Sequence, residues 1–254
     1  MAPSSARRAR RSYGQNFLSS RRALRQVCDA ADLKPDDLVY EVGAGRGHLT
    51  RMLVPRCGRV IAYEVDPALL TPVPGASVVA GDFLRAEPPR SPFVVVGNVP
   101  FALTAAVVSW CLTAEPLRHA TLVTQREYAR KRTGDYGRWS RLTLLTWPTH
   151  DWHLGPAIPR TAFRPVPAVD GAILRLVHRE IPLVPEPLMP AWRQFVELGF
   201  SGVGGSLPAT LRRRYGRPAT GACRAVRVGA DVTVGAVWPE QWLTLFRVLE
   251  RDAG

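Results

Sequence analysis

Asn98-Val99-Pro100-Phe101 closes the apolar run Phe93 to Gly97. It sets an amide side chain, a backbone carbonyl beside proline and an aromatic ring at the carboxyl edge of a buried strand. That set suits a planar ring with an exocyclic amine: two oxygens accept its N–H bonds and a flat face covers the ring. About fifty residues upstream lies Glu41-Val42-Gly43-Ala44-Gly45-Arg46-Gly47, a glycine loop between a strand and a helix. Glycine lets the backbone turn tightly there and approach a ligand with its N–H groups.

The glycine spacing is G-x-G-x-G with His48 following, so the third glycine of the dinucleotide fingerprint is missing. Glu64 stands nineteen residues after Gly45, at the end of the next strand, where a carboxylate can accept both ribose hydroxyls of an adenosine. Gly81-Asp82-Phe83 ends a third strand; Asp82 can accept an adenine amine while Phe83 packs beside the ring. These groups follow one another in the order an elongated ligand needs. They describe S-adenosylmethionine (SAM) better than NAD, because no second phosphate-binding half is evident.

The elements that must position these residues alternate along the chain. Ser19-Ser20 can cap a helix to Ala31, with Leu24, Val27 and Ala31 on one face. Strands are expected at Leu38–Glu41, Arg59–Glu64, Ser77–Ala80, Phe93–Gly97 and Ala120–Thr124, and helices at His48–Arg56 and Leu103–Leu112. A helix starts at Glu127–Thr133, is interrupted at Gly134-Asp135-Tyr136-Gly137 and resumes at Leu142–Leu145. Two last strands fall near Thr149–Leu154 and Gly171–Val177. The alternation predicts an α/β fold with an open, doubly wound, Rossmann-like sheet. Ile181 to Pro190 holds four prolines in ten residues, which reads as a linker. Helices at Trp192–Phe200, Pro208–Tyr215 and Pro239–Arg251 follow. The expected organisation is a basic arm at 1–12, a catalytic domain at 13–179 and a small helical domain at 180–254.

Composition narrows the partners. The 254 residues are 46% hydrophobic and 22% charged, with a net charge of +13. That excess favours a polyanion, since neutralising phosphates releases condensed counterions. Candidate contact clusters are Arg7, Arg8, Arg10 and Arg11; Arg126, Arg130, Lys131 and Arg132; and Arg212, Arg213 and Arg214. Each has a solvated charged face as its plainer explanation. No apolar stretch approaches the roughly 20 residues of a membrane span, and the Arg-rich start leads into no secretory core, so a cytoplasmic protein is expected. Cys28, Cys57, Cys111 and Cys223 show no paired spacing. His150-x-x-His153 lacks supporting ligands, and no metal is expected.

Together with Gly14-Gln15-Asn16-Phe17-Leu18 and Phe163-Arg164-Pro165-Val166-Pro167-x-Val169-Asp170, these motifs resemble the ribosomal RNA adenine N6-methyltransferase family, in its Erm-type and KsgA-type branches, over nearly the whole chain. The resemblance implies the class I SAM-dependent methyltransferase fold. It implies that Asn16, Leu18, Gly43, Glu64, Asp82 and Asn98 line the SAM site, with Gly45, Val65 and Phe83 beside them. It also implies that Asn98, Pro100, Phe101 and Phe163 hold the target base: the Asn98 side-chain oxygen and the Pro100 carbonyl accept its amine, and the two rings wall it. Phe101 stands where the family often has Tyr, so the ring face is kept and a hydroxyl lost. The Asn-Val-Pro-Phe form and the short Arg-rich C-terminal unit resemble the Erm branch. That branch implies a monomer that methylates an adenine of 23S rRNA, in unassembled or immature large-subunit RNA, and resistance to macrolides, lincosamides and streptogramin B. The alternative is 16S rRNA dimethylation in ribosome biogenesis. A DNA adenine or protein-glutamine methyltransferase, or an RNA-binding factor on an inactive scaffold, are further alternatives. The opening and closing motifs speak against the first pair, and intact Glu64, Asp82 and Asn98 against the last.

Overall fold

The computed structural model describes residues 15–251. The expected basic arm, with Arg7, Arg8, Arg10 and Arg11, lies outside them.

Local sequence chooses most elements. Ser20 caps α1 (Arg21–Ala31), its Oγ accepting the Ala23 N–H at 3.4 Å, and Leu24, Val27 and Ala31 are buried on one face. The described residues form nine strands in chain order: β1 (Phe17–Leu18), β2 (Leu38–Val42), β3 (Arg59–Glu64), β4 (Ala76–Ala80), β5 (Phe93–Asn98), β6 (Leu117–Gln125), β7 (His150–Ile158), β8 (Phe163–Arg164) and β9 (Gly171–His178). Between them lie α2 (Thr50–Leu53), α3 (Thr104–Thr113), α4 (Arg126–Thr133) and α5 (Arg141–Thr146).

Seven strands form one sheet in the order β4-β3-β2-β5-β6-β9-β7. The strands β2 to β6 run parallel, and β9 pairs antiparallel with β6. Phe93 to Gly97 is buried throughout, as a central parallel strand covered on both faces requires. Val39, Val60, Ala62, Val94 and Val96 build the core with Leu24, Val27 and Leu53. A second aromatic series runs from Phe93 to Tyr40 and Tyr63, and from Phe93 and Phe83 to Trp110.

The expected helix His48–Arg56 is cut to α2 and a 3₁₀ turn at Val54–Arg56, where Pro55 brings no N–H to continue the ladder. A small two-stranded sheet, unforeseen from sequence, joins β1 to β8 antiparallel, with Phe17 opposite Arg164 and Leu18 opposite Phe163.

The chain divides into two compact units: described residues up to Ala129 with His153–His178, and Arg130–Trp152 with Arg179 onward. The second unit therefore takes in a segment that the sequence-based boundary at 179/180 assigned to the catalytic domain. Its helices are α5 with α6 (Met189–Phe200), α7 (Leu207–Tyr215), α8 (Arg217–Ala225) and α9 (Pro239–Arg251). The helix α8 was hidden by Pro218 and Gly221, yet Pro218 sits in its first turn, where a missing N–H costs nothing. Phe195 meets Trp242 and Phe246 edge-on at 5.8 and 5.6 Å. Gly199 leaves room for the Trp242 ring, which any Cβ there would strike. The Trp192 indole donates to the Leu144 carbonyl at 3.1 Å. That bond ties α6 to α5 and explains why the 130–152 segment belongs with the C-terminal helices.

Candidate active site

Chain order reverses between β2 and β5, and the crevice at such a switch point is where open α/β sheets bind ligands. Close approach is built in. A Cβ on Gly97 would lie 2.6 Å from the Val42 carbonyl, and one on Gly43 would lie 3.4 Å from the Asn98 carbonyl. Gly43, Gly45 and Gly47 have φ of 72°, 54° and 74°, the left-handed region that side chains disfavour.

The loop N–H groups do not form an open cradle. Gly43 and Ala44 donate to the Tyr63 carbonyl at 3.0 and 2.9 Å, and Gly45 donates to Glu64 Oε2 at 2.7 Å. The expectation that these groups point at a ligand is corrected: they stitch the loop to β3. The Gly43, Ala44 and Gly45 N–H groups are therefore not available to a pyrophosphate.

Glu64 is 2% exposed and accepts three bonds, from Gly45, from the Asp66 N–H at 2.9 Å and from Gln15 Nε2 at 3.2 Å. A carboxylate has about four acceptor positions, so these three bonds leave about one of them open. Val65 is exposed beside it. Asp82 is half-buried; its Oδ1 caps the following turn through Leu84 N–H at 3.0 Å. Nothing lies within 4 Å of a Cβ built on Gly81, so space is open next to Asp82. Phe83 is corrected: its ring is 4% exposed and packs on Trp110 at 4.5 Å and Tyr63 at 5.7 Å, so its face belongs to the core.

Asn98 Nδ2 donates to the Asn16 backbone carbonyl at 2.7 Å. Flipping the amide would set two acceptors against each other, so this bond determines which way it points. Among the described residues no donor meets Oδ1, which keeps its lone pairs for another donor. The segment supplying that carbonyl is held by β1, and the Ser19 N–H donates to the Ala162 carbonyl at 2.9 Å. The opening and closing motifs are therefore zipped together, and that zipper orients Asn98.

Two target-base assignments change. The Pro100 carbonyl already accepts the Leu103 N–H at 2.8 Å in the turn Phe101–Leu103. Among the described residues the Val99 carbonyl has no such partner, which makes it the freer acceptor. Phe163 is fully buried at 0% exposure and meets the half-buried Phe101 edge-on, with ring centres 6.1 Å apart. Two parallel walls around a base need about 7 Å and open faces, so in this conformation Phe163 supports Phe101 and does not face it across a slot. Leu18 is likewise buried in the core.

Glu41 was passed over as a site residue. It is the last-but-one residue of the apolar strand β2 and is 0% exposed; its oxygens meet no donor at full hydrogen-bonding distance, and Thr50, through its hydroxyl and backbone N–H, is a weak partner. Burial pushes its carboxyl up to about 7; Thr50 opposes the shift and Glu64 adds to it. An acidic residue inside an apolar strand just before a glycine loop was the signal available in the sequence. A buried carboxylate so weakly partnered suits a cation.

Elsewhere the basic clusters are partly committed. Arg130 pairs with Asp135 and Arg132 donates to Ser140 Oγ at 2.8 Å, while Arg126 and Lys131 are exposed. Arg212, Arg213 and Arg214 are all exposed at the end of α7. His150 is buried and His153 exposed along β7, so the two rings share no face for a metal. Among the described residues no helix is long and apolar enough to cross a membrane.

A parallel sheet with glycine loop, strand-end carboxylates and an oriented amide at its switch point defines an α/β nucleoside-dependent transferase fold. The chain belongs to the ribosomal RNA adenine dimethylase family, which it matches over residues 6–251. It is 50% identical to an rRNA adenine N-6-methyltransferase of Streptomyces fradiae, over 95% of this chain and 79% of that protein. It is 34% identical to the mycinamicin-resistance protein MyrB of Micromonospora griseorubida, over 96% and 80%. Its fold superposes on the crystal structure of the 23S rRNA methyltransferase ErmE with a TM-score of 0.89 at 46% identity, over 92% of this chain and all of that one. The protein is thus an rRNA adenine N6-methyltransferase, and methyltransferases of this type use SAM.

Proposed function

We propose that the protein transfers the methyl group of SAM to N6 of one unpaired adenine of 23S rRNA, in the cytoplasm and as a monomer, and that the product confers macrolide, lincosamide and streptogramin B resistance. The carrying observation is the Asn98 amide, held by Asn16 so that its oxygen stands as an acceptor at the switch-point crevice. The 23S assignment is supported by the ErmE likeness and the resistance assignment by MyrB.

The residues present fit SAM. Glu41 is a buried carboxylate, met only weakly by Thr50, for a cationic group, Glu64 meets the ribose, and Asp82 lies beside open space for the adenine. When bound, SAM supplies a methyl group on a sulfonium that is already activated. The chain's task is therefore positioning and electrostatics. Asn98 Oδ1 and the Val99 carbonyl accept the two hydrogens of the adenine amine. That pulls the nitrogen towards a tetrahedral shape and aims its lone pair into the crevice. Phe101 covers the extruded ring, and base–aromatic stacking of roughly 1–3 kcal/mol offsets the few kcal/mol of unstacking. No side-chain base is needed, because the proton leaves after transfer.

The test is to incubate the protein with labelled SAM and separate 23S and 16S transcripts, then map the modified nucleotide. Label in one adenine N6 of 23S RNA, with raised macrolide tolerance in an expressing host, supports the proposal. Label confined to 16S RNA replaces it with the biogenesis role.

A further inference from the structure

A single exposed apolar side chain needs no explanation, but Trp238 is not an isolated case. It is 55% exposed, and its ring lies 5.5 Å from Trp139, tilted by 60°. Trp139 is 8% exposed and meets Trp147 edge-on at 5.3 Å. The Arg179 guanidinium covers Trp147 at 5.4 Å. The backbone holds the same arrangement. Trp139 N–H donates to the Gly235 carbonyl at 2.6 Å. Trp238 N–H donates to Gln241 Oε1 at 2.9 Å, and Gln241 Nε2 donates to the Val226 carbonyl at 2.7 Å. Trp238 is thus the outermost of three indoles, placed at the head of α9 and braced from behind. All these residues belong to the second unit.

Two exposed arginines and one exposed acid lie on the segments next to it. Arg138 has its Cβ 4.0 Å from a Cβ built on Gly235, and Arg227 follows the carbonyl that anchors Gln241; both are exposed. The nearby acid Asp135 is paired with Arg130, while Glu240 is exposed next to Pro239. A protein partner that buried this indole would have to desolvate the arginines around it. A nucleotide needs both features together, a flat face for its base and cations for its phosphates.

We propose that Trp238 is a stacking platform for an unpaired RNA base other than the one that reacts, with Arg138 and Arg227 taking the flanking phosphates. The base must be unpaired, because the ring faces inside a duplex are covered. The inference rests on the rRNA substrate proposed above and names where the second unit grips it.

The experiment compares full-length wild type with Trp238→Ala, Trp238→Phe and Arg138→Ala. The readouts are melting temperature, SAM affinity, and affinity for a 23S rRNA transcript across a salt series. Trp238→Ala is expected to weaken RNA binding about five- to a hundredfold, with SAM affinity and the salt slope unchanged. Trp238→Phe restores most of the loss, while Arg138→Ala lowers the salt slope by about 0.7–0.9. Wild-type RNA affinity in Trp238→Ala overturns the platform. So does a loss that tracks a lowered melting temperature and is not rescued by phenylalanine. Failure of the wild type itself to methylate any rRNA transcript sinks the substrate proposal first, and the platform with it.

Discussion

The two ends of the parallel sheet carry similar polar residues and use them oppositely. At the amino edge, Asp37 accepts the Lys34 N–H at 2.8 Å and pairs with Arg118 at 2.9 Å, and Arg175 pairs with Asp32 at 3.5 Å. Those groups find partners inside the protein, and the edge serves stability. At the carboxyl edge, Glu41 has only Thr50 as a weak partner, and among the described residues no donor meets Asn98 Oδ1. Polar groups with unused valences there are costly when buried, and they make sense when something outside the chain completes them. His119, near the amino end of β6, is an exception: it is buried with neither ring nitrogen hydrogen-bonded.

The contrast can be broken most sharply at Asn98. Asn98→Ala is expected to lower kcat by about 10²–10³, well beyond any change in melting temperature or SAM affinity from losing the bond to Asn16, read by single-turnover methyl transfer. Wild-type turnover would remove the amide from the mechanism.

Glu41→Gln is the next largest. If Glu41 holds a cation, SAM binding expels its proton, so affinity in the wild type rises with pH up to about 7 and levels off above. The Gln variant is expected to bind SAM about tenfold or more weakly and to lose that pH dependence, which calorimetry in buffers of different ionisation heat would show. In the ligand-free wild type the folded carboxyl holds its proton above the unfolded value near 4.5. Stability therefore falls as pH rises from about 4.5 to 7, and the Gln variant should flatten that slope.

At the amino edge the effects should be on folding alone. Asp37→Ala leaves the Lys34 N–H and Arg118 without their acceptor and is expected to cost about 1–3 kcal/mol in denaturant unfolding, while kcat per folded molecule stays at the wild-type value. A comparable drop in kcat would show that the two edges are not separable.

The smallest effect concerns His119, buried on β6 with neither ring nitrogen hydrogen-bonded. Burial, with the charges of Arg175 and Arg118, lowers its pKa to about 4. The unfolded chain binds the proton first, so stability is lost as pH falls from about 6.5 towards 4. His119→Leu should remove that acid sensitivity in a pH series of melting curves, with methyl transfer unaffected.

The sequence alone determined the alternation of strands and helices, the buried run Phe93 to Gly97, the glycine loop and the Asn-Val-Pro-Phe corner. Each is a local matter: side-chain period, glycine at positive φ, a cap such as Ser20. Only the tertiary structure decided that Phe17–Leu18 pairs with Phe163–Arg164, that the Asn16 carbonyl orients Asn98, that Phe83 and Phe163 are core rings, and that Arg130–Trp152 joins the C-terminal helices. Those outcomes depend on groups far apart along the chain, whose meeting leaves no periodic trace in either segment. The residue types of the site can therefore be read in sequence, while which of their oxygens and ring faces remain open is a property of the folded packing.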